Sequence, residues 1–159
     1  MAKAKSKLTE LDPIWEQLKT EAKQAVQDEP LLGGLVHSSI LHHRSFERAL
    51  CYRIALKLAS DEMSAQLLAE ISEEAHSASS SLGHAARADL AAVFDRDPAC
   101  HTMLQPLLYF KGYQALQSYR IGHWLWTQGR KDLAYFFQMR ISENFGVDIH
   151  PNARIGMNI

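Results

Sequence analysis

Hydrophobic residues recur at helical spacing along most of the chain. Asp12 and Pro13 predict the first helix start, since aspartate can cap the helix and proline suits the first helical position. The pattern breaks at residues 28–30, and Pro30 opens a second helix. The predicted inward residues are Ile14, Leu18, Ala22, Ala25 and Val26 in the first helix, and Leu31, Leu32, Leu35, Val36, Ile40 and Leu41 in the second.

Three further helices follow before residue 98. Ser45 is predicted to cap the third and Ser60 or Asp61 the fourth, while the fifth covers residues 82–94 after a linker or irregular join at 77–81. Asp97 precedes a proline, which disfavours helix and ends the fifth. The glycine pair at 33–34 indicates either close helix packing or a break. The predicted inward residues are Phe46, Ala49, Leu50, Ile54, Leu58, Met63, Leu67, Leu68, Ile71, Leu90, Val93 and Phe94.

The period changes in the last third of the chain. Pro106 opens a long aromatic-rich helix that ends at Gly129, and a last helix covers residues 131–145. Beyond it, Ile149 and Ile155 stand six residues apart, a spacing typical of a coil in a left-handed parallel β-helix. The predicted fold is all-α: a multi-helix N-terminal bundle that ends in the first extended turn of a left-handed parallel β-helix.

This pattern divides the chain into three parts. Residues 1–11, with Lys3, Lys5 and Lys7, are predicted to form a flexible tail, residues 12–146 the helical domain, and residues 147–159 the start of the β-helix. Such coils need neighbours to stack on. We therefore expect residues 147–159 to lie against the helical domain or against a neighbouring chain.

Composition narrows the class of protein. A formal net charge of −1 argues against a nucleic-acid partner. Cys51 and Cys100 show neither disulfide nor metal-site spacing, which indicates a reducing compartment. The sequence has no apolar run of membrane-spanning length and no hydrophobic start typical of a secretory signal. Together these features predict a cytoplasmic protein without a membrane partner.

The histidines are candidates for metal or acid–base chemistry. His37, His42 and His43 lack the i, i+4 spacing of helical ligands, so we predict no metal site. His123 lies in an apolar helix and is predicted to be a hydrogen-bonded core or interface residue rather than a base. Surface positions are predicted for His76, His84 and His101. Core or subunit-contact positions are predicted for Tyr109, Phe110, Tyr113, Tyr119, Trp124 and Trp126.

Two aspartates are stronger candidates. Asp97 stands at a helix end, where the residues alone favour a turn or cap role. Asp148 enters the six-residue pattern, where a carboxylate can orient a histidine of a neighbouring coil as general base. No candidate for that histidine follows it in the chain.

Several strings of residues resemble the bacterial serine O-acetyltransferases. The resemblance covers the chain after about residue 12 and is strongest from Asp97 onward. The strings are Asp97-Pro98-Ala99, Pro106-Leu107-Leu108-Tyr109 with Lys111-Gly112, Gln114-Ala115-Leu116-Gln117, Tyr119-Arg120-Ile121-Gly122-His123-Trp124-Leu125-Trp126, and Val147-Asp148-Ile149-His150-Pro151 with Ala153 and Ile155-Gly156.

The resemblance implies a function. These enzymes transfer an acetyl group from acetyl-CoA, a co-substrate, to L-serine, which gives O-acetyl-L-serine in the first step of cysteine biosynthesis, and L-cysteine inhibits them. It implies a homo-hexamer, a dimer of trimers joined through the helical domain, and a C-terminal tail that binds cysteine synthase. Asp148 matches the aspartate that orients the catalytic histidine. Asp97 matches the aspartate that lines the serine or cysteine pocket.

The departures from the family pattern also matter. The catalytic histidine, the groups that hold the substrate carboxylate, the acetyl-CoA groove and the tail have no counterpart in these residues, and His150 does not match that histidine. We therefore expect a truncated helical domain that is inactive alone, with no bound cofactor or metal. Two alternatives stay open: a non-catalytic helical self-association module, and a hexapeptide-repeat acyltransferase with another acceptor.

Overall fold

The computed structural model describes residues 12–159, and the predicted tail 1–11 with its lysines lies outside the described residues. Within 12–159 the regular structure is helical and no β-strand forms, which confirms the all-α class. None of the helices described is both long and apolar enough to cross a membrane. The α-helices are α1 (Pro13–Asp28), α2 (Gly33–Val36), α3 (Phe46–Leu58), α4 (Ala65–Ala78), α5 (Ser80–Arg96), α6 (Leu104–Tyr109), α7 (Lys111–Thr127) and α8 (Lys131–Phe145).

Helix α1 begins as predicted, with the Asp12 side chain accepting a hydrogen bond from the Trp15 amide. The single helix predicted after Pro30 is wrong. A 3₁₀ turn (Pro30–Leu32), α2 and a π-helical turn (His37–Leu41) replace it. The glycine pair marks this break rather than close packing, because a Cβ at Gly34 would meet nothing within 4 Å. The predicted inward positions of Leu31 and Leu35 are wrong, and Leu31 is 92% exposed.

The predicted start of the fourth helix is also wrong. Its N-cap is Ser64, whose hydroxyl accepts a hydrogen bond from the Leu67 amide at 3.2 Å. The Ser60 hydroxyl instead accepts from Glu62 in the preceding turn. The later start leaves Leu67 exposed, while Leu68 packs in the core. By contrast, the Ser45 cap of α3 is confirmed.

The join between α4 and α5 is shorter than predicted. Only Ser79 leaves the helical conformation, so an irregular join is confirmed and the alternative of a linker over 77–81 is wrong. Helix α5 extends beyond the predicted 82–94 at both ends. Asp97 forms the C-cap of α5, as its position before a proline indicates.

The long helix predicted from Pro106 is two helices. Phe110 is extended and separates α6 from α7. Two buried side chains occupy the carbonyls that a continuous helix would use: Gln114 donates to Leu107, and Arg53 of α3 donates to Leu108. Helix α6 also starts before Pro106, because the Glu21 carboxylate of α1 accepts from the Leu104 amide.

Helix α7 forms the centre of the fold. All residues from 113 to 122 are buried, so this helix has no solvent face along that stretch. It packs most extensively on α8 and also contacts α3, α4, α5 and α6. At Gly122 a Cβ would stand 3.5 Å from the Phe137 Cβ, an ordinary contact that records how close α7 and α8 lie.

The ends of α7 and α8 follow the prediction. Gly129 takes a φ of +77°, and the Gly129 and Arg130 amides donate to the carbonyls of Trp126 and Leu125, as in a Schellman motif. Helix α8 covers the predicted residues 131–145, and Gly146 ends it with a φ of +69°.

Replacing Gly129 by alanine is expected to destabilise the protein by about 1 kcal/mol, because an L-residue pays that cost in the left-handed conformation. Gly34→Ala is the matched control. Its site is helical and open, so alanine should stabilise by about 0.5 kcal/mol or have no effect. Urea unfolding followed by circular dichroism measures the free energy of unfolding of both variants. Equal effects of the two substitutions would contradict the left-handed conformation assigned to Gly129.

Candidate functional site

Residues 147–159 lie on the helical domain, against α5, α7 and α8. Their backbone carbonyls receive side chains from one face of α7. The Tyr119 hydroxyl donates to Ala153, and a His123 ring nitrogen lies 2.7 Å from the Pro151 carbonyl. The Arg120 guanidinium donates to Ile155 at 3.3 Å and to Gly156 at 2.7 Å. The segment is thus held by α7 without pairing as a strand.

A buried ion pair supports this contact. Asp89 of α5 is fully buried and Arg120 is 8% exposed. One Asp89 oxygen accepts from Arg120 Nε at 3.0 Å, Arg120 Nη2 at 2.8 Å and Gln117 at 2.7 Å. The other oxygen accepts from the Ile159 amide at 3.3 Å. The carboxylate therefore has partners on both oxygens, as a buried charge requires.

Sequence reasoning missed this pair. Asp89 lies in an alanine-rich helix and Arg120 is 31 residues away, so no local spacing links them. The available signal is the placement of Gln117 and Arg120 three residues apart in α7, which puts them on one face of that helix.

Asp97 lies where the end of α5, the start of α7 and the terminal segment meet. Its Oδ1 accepts from the Ala99 amide at 2.9 Å, which confirms the turn and cap geometry. It also lines a cavity of about 750 Å³. The other walls are Val93, Ala99, Phe110, Lys111, Gly112, Tyr113, Leu116, Ile149, Ile155 and Ile159. Asp97 and Lys111 are the charged groups in this mainly apolar lining.

Asp148 lies outside this cavity. It is exposed, and its Oδ1 accepts from Gln138 of α8 at 2.9 Å. Its neighbour Ile149 lines the cavity, but Asp148 does not. The structure therefore does not bring Asp97 and Asp148 into one pocket. Within residues 12–159 the recorded partner of the Asp148 carboxylate is Gln138 and no histidine.

His150 has a separate role in the backbone turn. A ring nitrogen, Nδ1, accepts from the Asn152 amide at 3.0 Å, which fixes the turn at Pro151. The ring packs edge-on against Trp126 and Tyr135, with centroids 5.0 and 5.7 Å away. His150 is therefore engaged in packing and turn formation.

The hydrogen bond predicted for His123 is confirmed, and its ring is half-buried. The rings of His37, His42 and His43 form a surface group in which one pair is tilted and the other edge-on, with neighbouring centroids 5.5–6.1 Å apart. Residues 12–159 contain no cluster of three or more His, Cys, Asp or Glu suited to a metal ion.

Both cysteines are free thiols in the interior. Burial raises the pKa of Cys51 and, with the nearby Asp97 charge, that of Cys100. Neither thiol is therefore activated as a nucleophile.

The predicted surface position of His76 is wrong. It lines a polar cleft of about 700 Å³ between α3, α4 and α5, and Nδ1 is buried without a hydrogen-bond partner among the described residues. Burial lowers the pKa of His76 from 6.5 to about 4. The imidazole is therefore neutral at pH 7.

Arg87 fills the end of this cleft and is fully engaged. It donates to Asp12 at 2.5 Å, to Glu47 at 2.6 Å and to the Gly83 carbonyl at 3.1 Å, and it stacks over Phe46. Burial by itself would raise the pKa of the Asp12 and Glu47 carboxylates. The hydrogen bonds and charge of Arg87 outweigh it and lower the pKa of both groups. The cluster joins the start of α1 to α3 and α5.

Comparison with known proteins identifies the family. Residues 14–118 match the family model described as "Serine acetyltransferase, N-terminal". The serine acetyltransferase of Salmonella typhimurium is 46% identical over 150 residues, which are 94% of this chain and 55% of that protein. The chain belongs to the serine acetyltransferase family, and it spans about half the length of the curated relatives it matches.

Solved structures agree. The serine acetyltransferase of Brucella abortus in complex with coenzyme A superimposes with a TM-score of 0.92 at 41% identity, covering 96% of this chain and 61% of that one. The Neisseria gonorrhoeae enzyme in complex with serine gives a TM-score of 0.89 at 42% identity, covering 93% of this chain and 61% of that one.

The buried His76 makes stability depend on pH. Unfolded His76 takes up a proton near pH 6.5 but folded His76 only near pH 4, so the folded state binds fewer protons between these values. The contribution of neutral His76 to the free energy of unfolding is therefore fully present above about pH 6.5, and it is lost as the pH falls toward 4. The loss is at most about 3.5 kcal/mol, since each pKa unit corresponds to about 1.4 kcal/mol.

In the His76→Gln variant, the decrease in the free energy of unfolding that His76 causes between pH 6.5 and pH 4 should disappear. Chemical denaturation at a series of pH values measures it. The exposed His84, which bonds to the Ser80 carbonyl, supplies the control His84→Gln, which should keep the wild-type slope. A His76→Gln curve parallel to that of the wild type would show that burial does not control this titration.

Proposed function

We propose that this chain is the helical part of a serine O-acetyltransferase, which transfers the acetyl group of acetyl-CoA to the hydroxyl of L-serine. The observation that carries the proposal is the family match over residues 14–118. It is supported by the coenzyme A and serine complexes of relatives that superimpose on more than nine-tenths of the chain.

Residues 12–146 are proposed as the helical domain and residues 147–159 as the first coil of a left-handed β-helix. The change of backbone at Gly146 supports this boundary. Ile149 and Ile155 both line the same cavity. This is the side-chain placement that a six-residue repeat requires.

Asp97 is proposed to contribute to the pocket for the amino acid, L-serine as substrate or L-cysteine as inhibitor. Its cavity position supports this role, because a carboxylate beside an apolar wall can bind an ammonium group. One oxygen is held by the Ala99 amide, which fixes the direction of the other.

Asp148 is proposed to orient the histidine that removes the serine hydroxyl proton. The serine oxygen would then attack the thioester carbonyl, and coenzyme A would leave as the thiol. Asp148 suits this role because it is exposed, its carboxylate is held by Gln138 of α8, and the backbone that follows it is anchored by the contacts of residues 151–156 with α7. The bound Gln138 would hold the carboxylate in place until the histidine is present.

The helical domain is proposed to join subunits in a hexameric assembly, a dimer of trimers. Leu31, Leu56 and Leu67 leave apolar side chains exposed, and a subunit contact at these positions would bury them. They also favour a second candidate function, a non-catalytic self-association module.

Inhibition by L-cysteine and binding of cysteine synthase through a tail follow the family resemblance, and the free cysteines support a cytoplasmic location.

The two aspartates are expected to affect different kinetic constants. The test uses the protein encoded by the complete reading frame that contains this chain, with coenzyme A release as the assay. Asp148→Asn should lower kcat by about 100-fold or more, because it disables the general base. Asp97→Asn should raise the KM for serine by about 10-fold or more, because a charge-assisted hydrogen bond is lost.

Asp95→Asn is the matched control, since Asp95 is exposed and lies two residues before Asp97, outside the Asp97-Pro98-Ala99 string. Residues 1–159 alone should show no detectable acetyl transfer. Inactivity of the wild-type complete protein with acetyl-CoA and serine would disprove the proposed function. A helical assembly without any transfer would then support the self-association module.

A further inference from the structure

The Asp89–Arg120 pair does more than neutralise two buried charges. The Arg120 guanidinium is shared between the Asp89 carboxylate of α5 and the carbonyls of Ile155 and Gly156. The second Asp89 oxygen accepts from the Ile159 amide. A pair that stabilised only the α5–α7 contact would not need these additional bonds.

Side chains of α7 bind four carbonyls of the segment. His123 lies at the Pro151 carbonyl, Tyr119 donates to Ala153, and Arg120 donates to the consecutive carbonyls of Ile155 and Gly156. Residues 151–152 form a turn, so the segment is not a regular strand. These four contacts along one face of α7 fix where each part of the segment lies.

The same segment includes Asp148 at its start. Gln138 holds this residue from α8, and residues 151–156 fix the backbone that follows it. A shift of the segment along α7 would therefore displace the Asp148 carboxylate together with Ile149 and Ile155, which line the Asp97 cavity.

We propose that Asp89 and Arg120 are positioning residues, which fix the register of residues 151–159 on α7 and thereby place Asp148. The register is stable because the Asp89 carboxylate holds the Arg120 guanidinium plane through Nε and Nη2 of the arginine. The remaining N–H groups of Arg120 then donate to the consecutive carbonyls of Ile155 and Gly156. The effect on catalysis rests on the proposed function, whereas the effect on the segment does not.

Arg120→Lys separates positioning from general stability. Lysine keeps a positive charge beside Asp89, but one ammonium cannot reproduce the planar contacts to the carboxylate and to both carbonyls. In hydrogen–deuterium exchange, peptides of residues 152–159 should exchange about 10-fold faster or more, while peptides of α3 and α8 keep wild-type protection.

The double variant Asp89→Asn with Arg120→Gln provides a second measurement. It removes both charges and so leaves no unpaired ion in the core. The same local loss of protection is expected in residues 152–159. Arg130→Lys, which alters an exposed arginine paired with Glu74, is the control and should exchange like the wild type.

The proposal is overturned if residues 152–159 keep wild-type exchange in both variants, or if α8 loses protection together with them. In the complete protein, both variants should lower kcat by about 10-fold or more with the KM for acetyl-CoA unchanged, because a displaced catalytic group slows the chemical step. If the wild-type protein is inactive, the proposed function fails, but the exchange data still decide the positioning role. An active wild type with variants of unchanged kcat would refute the placement of Asp148.

Discussion

The contact between α7 and residues 147–159 depends on one charged interaction in the interior, that of Asp89 with Arg120. Burying two ions is costly, and the cost is offset only when their remaining hydrogen-bonding groups are satisfied. Here Gln117 and the backbone of residues 155–159 complete the set. The terminal segment thus supplies a hydrogen bond that offsets the desolvation of Asp89, and the ion pair in turn holds the segment in place.

Helix α7 can serve this purpose because it is buried along its middle. An ordinary surface helix has one apolar stripe, but residues 113–122 meet neighbouring elements on every side. Polar side chains in such a helix need partners inside the protein. Gln114 binds the Leu107 carbonyl, Tyr113 the Ala86 carbonyl and Arg120 the terminal segment. Each of these bonds also fixes a neighbouring backbone, so the polar residues of α7 organise the elements around it.

Local signals in the sequence predicted what local physics controls. The caps at Asp12 and Ser45 and the end of α7 at Gly129 depend on residues within a few positions, and all three are confirmed. The break at Phe110 could not be predicted, because it depends on Arg53, 55 residues from the carbonyl that it binds. The burial of His76 depends in the same way on distant helices. Asp97 and Asp148 were found from their positions, at a helix end and in the six-residue pattern, and then through motif resemblance, whereas the Asp89–Arg120 pair carries no motif.

The terminal segment shows why the proposed repeat can be suggested by spacing although residues 147–159 contain no strand. Ile149 and Ile155 line the same cavity, which is the placement that the proposed six-residue spacing requires. Side-chain placement depends on the single chain, whereas strand pairing needs a second strand. In this structure α7 supplies hydrogen bonds to the carbonyls and the cavity wall supplies apolar contact to the isoleucines. The segment supplies Ile149, Ile155 and Ile159 to the wall of the cavity beside Asp97, so the contacts that position the segment also shape the candidate amino-acid pocket.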